Sequence, residues 1–210
     1  MLGEILTAIC TPFKADRAVD YQAFRALAAH LVANGSDGLV VTGTTGESPT
    51  LSDEERFGLY EAALEEVGDH ATVVAGTGTY STEHSVHLTA RAHELGVHGF
   101  LVVTPYYSKP PVRGIVRHFE EIAAVTDRPI VAYNIPSRVV LNLETDAIAQ
   151  LAELPTVRAV KQANPTSSRR ARSWTSGSTS TRATTTSCSR SSSWVEPEGC
   201  ACTRTSSGRR

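Results

Sequence analysis

The stretch Gly38-Leu39-Val40-Val41-Thr42-Gly43-Thr44-Thr45-Gly46-Glu47-Ser48-Pro49-Thr50-Leu51-Ser52-Asp53-Glu54-Glu55 carries one complete passage from strand to helix. Its first five residues are a short apolar run rich in β-branched side chains, the pattern of a strand buried on both faces. A Gly-Thr-Thr-Gly loop follows. Ser52 and Glu55, three apart, form a capping box in which each satisfies the other's end of a first helical turn. The helix so opened runs to about residue 67, and Gly68 stands where it should stop.

The same unit recurs in both directions. Strand candidates are Ile5–Thr11, Gly38–Thr42, Thr72–Gly76, Gly99–Thr104, Pro129–Tyr133 and Val157–Lys161. Helical patterns lie between them near 21–34, 52–67, 82–95, 112–125 and 144–152, with Asp20 placed to cap the first and Gly35 and Gly96 placed to end two others. The repeat of roughly 25–35 residues is the size of a right-handed βαβ unit, whose strands run parallel. Six such strands leave two architectures, an open doubly wound sheet or a (β/α)8 barrel. No G-x-G-x-x-G follows the first strand, which weakens the dinucleotide-binding sheet, and Gly76-Thr77-Gly78 reads as a tight turn.

Composition divides the chain. Of 210 residues, the first 164 carry a net charge of -8 and the last 46 a net charge of +6. The segment 165–210 holds 13 Ser, 9 Thr and 8 Arg, with a single Val and no other branched aliphatic residue, so it cannot supply a core layer. Residues 1–164 are therefore read as the structured part and 165–210 as a disordered tail. No apolar run approaches the 18 or so residues of a membrane span. The opening Met1-Leu2-Gly3-Glu4 lacks the basic start and apolar stretch of a secretory signal. Cys10 is the only cysteine of the first part, which argues against a disulfide scaffold and points to a cytoplasmic protein. The acidic body gives no reason to expect a nucleic-acid or membrane partner.

Parallel α/β folds hold their active sites at the carboxyl ends of the strands. Gly43-Thr44-Thr45-Gly46-Glu47 follows the second strand, Thr104-Pro105-Tyr106-Tyr107 the fourth, Tyr133-Asn134-Ile135-Pro136-Ser137-Arg138 the fifth, and Lys161 ends the sixth. Lys161 shares strand parity with Val157 and Ala159, so it faces inward if they do. A desolvated lysine loses its charge more readily, and a neutral amine can attack a carbonyl to form a Schiff base. The competing reading is a strand-end lysine reaching solvent. Tyr133, inward through Val131, could shuttle protons for such a lysine, with Thr44 and Tyr107 continuing the relay; it could equally be a packed core tyrosine. The Thr44–Thr45 loop can aim hydroxyls and backbone N–H groups at a carboxylate, and Arg138 can grip one bidentately. His84 and His87 are three apart on one helix, but a zinc site needs a third ligand that the spacing does not supply, so no metal and no cofactor is expected.

Taken together, Gly43-Thr44-Thr45-Gly46-Glu47, Pro105-Tyr106-Tyr107, Tyr133-Asn134-Ile135-Pro136 and the strand-ending Lys161 resemble the dihydrodipicolinate synthase/N-acetylneuraminate lyase family of class I aldolases, over about residues 3–164. Arg138 directly after Tyr-Asn-Ile-Pro-Ser resembles the synthase branch. The resemblance implies a TIM barrel, here cut to about six β/α units, and a ping-pong condensation. It implies Lys161 as the imine former with pyruvate and Thr45 with the loop amides as the pyruvate carboxylate site. Tyr133, Thr44 and Tyr107 would be the proton relay, Tyr107 coming from the neighbouring subunit. Arg138 would bind the carboxylate of aspartate semialdehyde. The implied product is 4-hydroxy-tetrahydrodipicolinate, on the route to lysine, and full-length members are usually homotetramers, dimers of dimers. Lysine-inhibited members typically carry Asn and Glu where Tyr80 and His84 stand here, so weak or absent lysine feedback is expected.

The family continues with two further strands that have no counterpart after Asn164. A shifted frame accounts for this. Read one base earlier, Ser codons become Phe, Leu, Ile or Val, and Thr codons become Tyr, His, Asn or Asp. With GC-rich wobble bases, Thr175–Gly199 can be re-read as D-V-G-L-D-L-Y-A-G-D-D-D-L-V-L-P-F-L-E-L-G-G-A-G-G, which resembles the missing strands. The competing reading is a genuine basic interaction tail.

Overall fold

The computed structural model describes residues 2–163, and the segment read above as a tail lies outside the described residues. Six strands form one sheet: β1 (Leu6–Ala8), β2 (Gly38–Val41), β3 (Thr72–Gly76), β4 (Gly99–Val103), β5 (Ile130–Asn134) and β6 (Val157–Gln162). The helices are α1 (Tyr21–Ala33), α2 (Asp53–Val67), α3 (Thr82–Leu95), α4 (Val112–Ala123), α5 (Pro136–Val139) and α6 (Thr145–Ala152), with a short 3-10 turn at Ser48–Thr50.

Every strand pairs in parallel with the next, in the order β1-β2-β3-β4-β5-β6. A doubly wound sheet needs a reversal of strand order, and none occurs among the described strands. The sheet adds each strand on the same side and curls into an open, half-closed barrel with its helices outside. This settles the choice that periodicity left open, in favour of barrel architecture.

Alternation along each strand builds two cores. Leu39, Val41, Val73, Ala75, Phe100, Val102, Ile130 and Ala132 face the helices. Val40, Val74, Leu101, Val131 and Tyr133 face the concave side. The sixth strand departs from simple parity. Ile130 pairs with Val157 but Val131 pairs with Ala159, a bulge that skips Arg158. Val157 consequently packs with the helix-side core, while Ala159 packs with the concave cluster. The inference from Val157 and Ala159 together was thus half right: only Ala159 shares the concave side on which Lys161 pairs with Tyr133.

Helix boundaries follow local chemistry. Asp20 accepts the Ala23 amide at the start of α1, and the Ser52/Glu55 capping box opens α2 with both of its hydrogen bonds formed. Gly96 ends α3 with φ 101°, a left-handed value that glycine adopts without a Cβ penalty. Among the described residues, no helix is long and apolar enough to cross a membrane.

Helix α4 buries Ile115, His118, Phe119 and Ile122, a stripe at helical spacing. His118 is 2% exposed; its Nδ1 lies 2.9 Å from Thr82 Oγ1 at the start of α3, and its Nε2 has no partner. Burial pushes its pKa down to about 4. Folding therefore keeps this imidazole neutral at pH values where the unfolded chain protonates it. Its stabilising contribution is full above the ordinary value of 6.5 and is lost as pH falls from there toward 4, at about 1.4 kcal/mol per unit. Urea midpoints at pH 7 and pH 5 should show a larger acid loss for the wild type than for His118→Asn; equal losses would refute this.

Candidate active site

The strand ends on the concave rim carry the polar side chains. The phenol of Tyr133, at the end of β5, is 6% exposed. Lys161 Nζ lies 4.5 Å from the centre of its ring. Burial lowers the pKa of Lys161 below the ordinary 10.5. A π-face beneath an ammonium favours its charged form by about 0.5–2 kcal/mol, so the ring opposes the effect of burial. Burial raises the phenol of Tyr133, opposed by a side-chain hydrogen bond with Thr44 and by the charge of Arg138. The structure thus brings Lys161, Tyr133 and Thr44 together and sets the Arg138 guanidinium near enough to be felt.

Asn134 fixes the neighbouring backbone. Fully buried, it donates through Nδ2 to Asn142 Oδ1 and Gln162 Oε1, both at 3.0 Å, and accepts the Leu143 amide at 3.1 Å. This ties the end of β5 to the residue after Lys161.

The loop after β2 is folded on itself. The amides of Gly46 and Ser48 donate to the Gly43 carbonyl and the Glu47 amide to the Thr44 carbonyl. Among the described residues, no backbone carbonyl takes the Thr44 or Thr45 amide, and both threonines are exposed at the rim. A cleft lined by Thr42, Gly43, Thr44, Gly76, Leu101 and Tyr133 opens beside them. This is a place where a small carboxylate can meet N–H groups and hydroxyls.

Arg138 is exposed on α5, a single turn begun by Pro136. Tyr107 is 92% exposed with φ 68°, and the structure does not bring it to Thr44 or Tyr133 within this chain. Left-handed, non-glycine residues recur on this rim: Thr42 and Glu47 in the loop after β2, Tyr107 and Lys109 in the loop after β4, and Val140 after α5. Such strain persists only where its surroundings impose it, and it concentrates at functional sites.

Tyr80 packs edge-on against Tyr106 at 5.5 Å. His84 Nε2 lies 2.9 and 3.0 Å from the two oxygens of Asp53, and His87 Nε2 lies 4.0 Å from the same carboxylate. The two histidines are thus engaged between α2 and α3, with a third group that spacing alone did not indicate.

Sequence reasoning missed Thr42, Tyr60, α5 and the structural part of Asn134. A β-branched residue followed by Gly43 was the one available hint of a left-handed turn at Thr42.

The profile of the Dihydrodipicolinate synthetase family matches residues 1–177. The 4-hydroxy-tetrahydrodipicolinate synthase of Mycolicibacterium gilvum is 52% identical over 162 residues, which cover 77% of this chain and 54% of that relative. The crystal structure of dihydrodipicolinate synthase from Aquifex aeolicus superposes with a TM-score of 0.75 at 44% identity, over 77% of this chain and 55% of that one. The lysine-bound enzyme of Cyanidioschyzon merolae gives 0.77 at 42% identity, over 79% and 57%. The chain therefore spans about half the length of the relatives it matches.

Proposed function

Because the chain belongs to the Dihydrodipicolinate synthetase family, we propose that it is built to condense pyruvate with L-aspartate 4-semialdehyde through a Schiff base on Lys161. The product is 4-hydroxy-tetrahydrodipicolinate, in lysine and diaminopimelate biosynthesis. One observation carries the reading: a desolvated amine lies over a buried phenol at a strand end of a barrel sheet.

The neutral Nζ of Lys161 attacks C2 of pyruvate. Tyr133 donates its proton to the carbonyl oxygen and recovers one from the nitrogen, so the carbinolamine forms without net loss of protons. Water then leaves and the C=N bond forms. Tyr133, left as phenolate once its proton departs with the water, takes a C3 proton to give an enamine; the enamine carbon attacks the aldehyde, and the phenol returns the proton to the new alkoxide as the C–C bond forms. The amine of the semialdehyde displaces Lys161 from the imine carbon, closing the ring and freeing the enzyme. Thr44 hydrogen-bonds Tyr133 and passes its proton onward. Thr45 and the loop amides hold the pyruvate carboxylate, and Arg138 takes the carboxylate of the second substrate.

Tyr107 completes the relay from a neighbouring subunit; its exposure and left-handed backbone support a role outside its own chain. The full-length assembly is a cytoplasmic homotetramer. Residues 165–210 are the product of a shifted frame. A second reading within the family, a different pyruvate- or 2-keto acid-dependent aldolase, is separated by whether the semialdehyde serves as second substrate. A third, an inactive barrel fragment with a basic tail, is separated by the trapping experiment.

Borohydride added with pyruvate should leave a stable adduct on the peptide bearing Lys161. No adduct, or one on another lysine, would sink the reading. Lysine feedback should be weak, since Tyr80 and His84 stand in the loop and helix after β3 and His84 is held by Asp53. Inhibition of an active preparation by sub-millimolar lysine would overturn that.

A further inference from the structure

We infer that Tyr60, on the far side of the sheet, is a positioning residue that fixes Thr44 against Tyr133 by holding Thr42 in a left-handed turn. The inference deepens the Schiff-base reading and rests on it only for the rate arm of its test.

Thr42 is the first residue after β2 and is 2% exposed. Its φ of 53° is an outlier for a β-branched side chain, which crowds its own backbone in that region. It sits in a triangle with the Tyr60 hydroxyl and the Gly76 carbonyl, in which two hydroxyl protons serve three contacts and Thr42 makes two of them. Thr42 Oγ1 donates to the Gly76 carbonyl at 3.1 Å and lies 2.7 Å from the Tyr60 hydroxyl, which is itself 3.0 Å from the same carbonyl. Tyr60 comes from α2 and is fully buried. Position 76 must be glycine for this contact, because a Cβ there would strike the Thr42 carbonyl.

The far end of the loop is pinned separately. Thr11 Oγ1 donates to the Gly46 carbonyl at 2.8 Å. Between the two anchors lie only Gly43, Thr44 and Thr45, too few residues to absorb a rotation at Thr42. The direction of the Thr44 hydroxyl toward Tyr133 is therefore set from behind the sheet. Burial drives the Tyr60 phenol up to about 12, so it stays a proton donor throughout the working pH range.

Tyr60→Phe keeps the ring and deletes the bond. Exchange at the hydrogen-bonded loop amides of Gly46, Glu47 and Ser48 should quicken at least tenfold, with β3 and β4 amides unchanged. The single-turnover rate of borohydride trapping with pyruvate, which uses only described residues, should fall at least tenfold per folded molecule. Thr42→Val removes the other half of the bond, and Tyr60→Phe combined with Thr42→Val should cost less than the sum of the two single variants, because the Thr42–Tyr60 bond is lost in both. Additive losses, or unchanged exchange at Gly46, Glu47 and Ser48 in Tyr60→Phe, would overturn the inference. If the wild type fails to trap pyruvate, the Schiff-base reading falls, and the exchange arm still decides the role of Tyr60.

Discussion

Lys161→Ala should leave no pyruvate adduct under borohydride, whereas Tyr133→Phe should still form one, slowly. The contrast follows from what each side chain supplies. The adduct is a bond to Nζ, so deleting the amine removes the reaction rather than slowing it. Removing the phenol deletes a proton carrier, a loss of about 10²–10⁴-fold in rate. The pH profile tests the same site differently. Only the neutral amine attacks, and burial lowers the pKa of Lys161 below 10.5. Trapping should rise with pH and reach half its plateau below that value. A midpoint at or above 10.5 would mean that the lysine is solvated.

Stability moves the other way. The unfolded chain binds the Lys161 proton more tightly than the folded one, so carrying this amine costs stability at neutral pH, and the cost fades as pH rises toward 10.5. Lys161→Met should therefore raise the melting temperature at pH 7 while abolishing the adduct. A variant that loses both would show that the lysine serves the fold.

Most of the architecture was legible because βα repeats advertise themselves. Strand β3 and helix α3 fall on the residues that periodicity marked, and the capping box at Ser52 opened α2 as read. What escaped was tertiary. The bulge at Arg158 sends Val157 to the helix side, and no pattern in Val157–Lys161 announces a skipped residue. Helix α5 is one turn, shorter than any hydrophobic period can reveal. The site divides similarly. Lys161 and Tyr133 were readable as neighbouring polar side chains at strand ends. Tyr60 was not, because a tyrosine within a helix carries no sign that its hydroxyl meets Thr42 at the end of β2.

On the proposed shifted frame, restoring the frame at the Asn164 codon should give a more stable and more active chain. Among the described residues the sheet ends at β1 and β6, each paired on one side. Strand β6 is only partly buried over most of its length, whereas β2 and β5 are buried throughout. Leu2, Leu6, Ala8 and Ala159 are likewise half-covered on the concave side. Closing a barrel of this kind takes eight strands and roughly 250 residues. By composition, 165–210 offers 13 Ser, 9 Thr and 8 Arg with a single Val, little apolar side chain for strands of that kind. The re-read segment supplies Leu, Val, Phe and Gly instead. Each kcal/mol recovered raises the melting temperature of a chain this size by about 2–4 °C, so several kcal/mol from closed edges is worth about 10 °C or more. Condensation, which needs the whole rim, should rise by two orders of magnitude or more over the 210-residue chain. Resequencing across the Asn164 codon, followed by expression in both frames, tests this directly. A 210-residue product that melts cooperatively and turns over as fast as the re-framed chain would show that the tail is genuine and the open sheet sufficient.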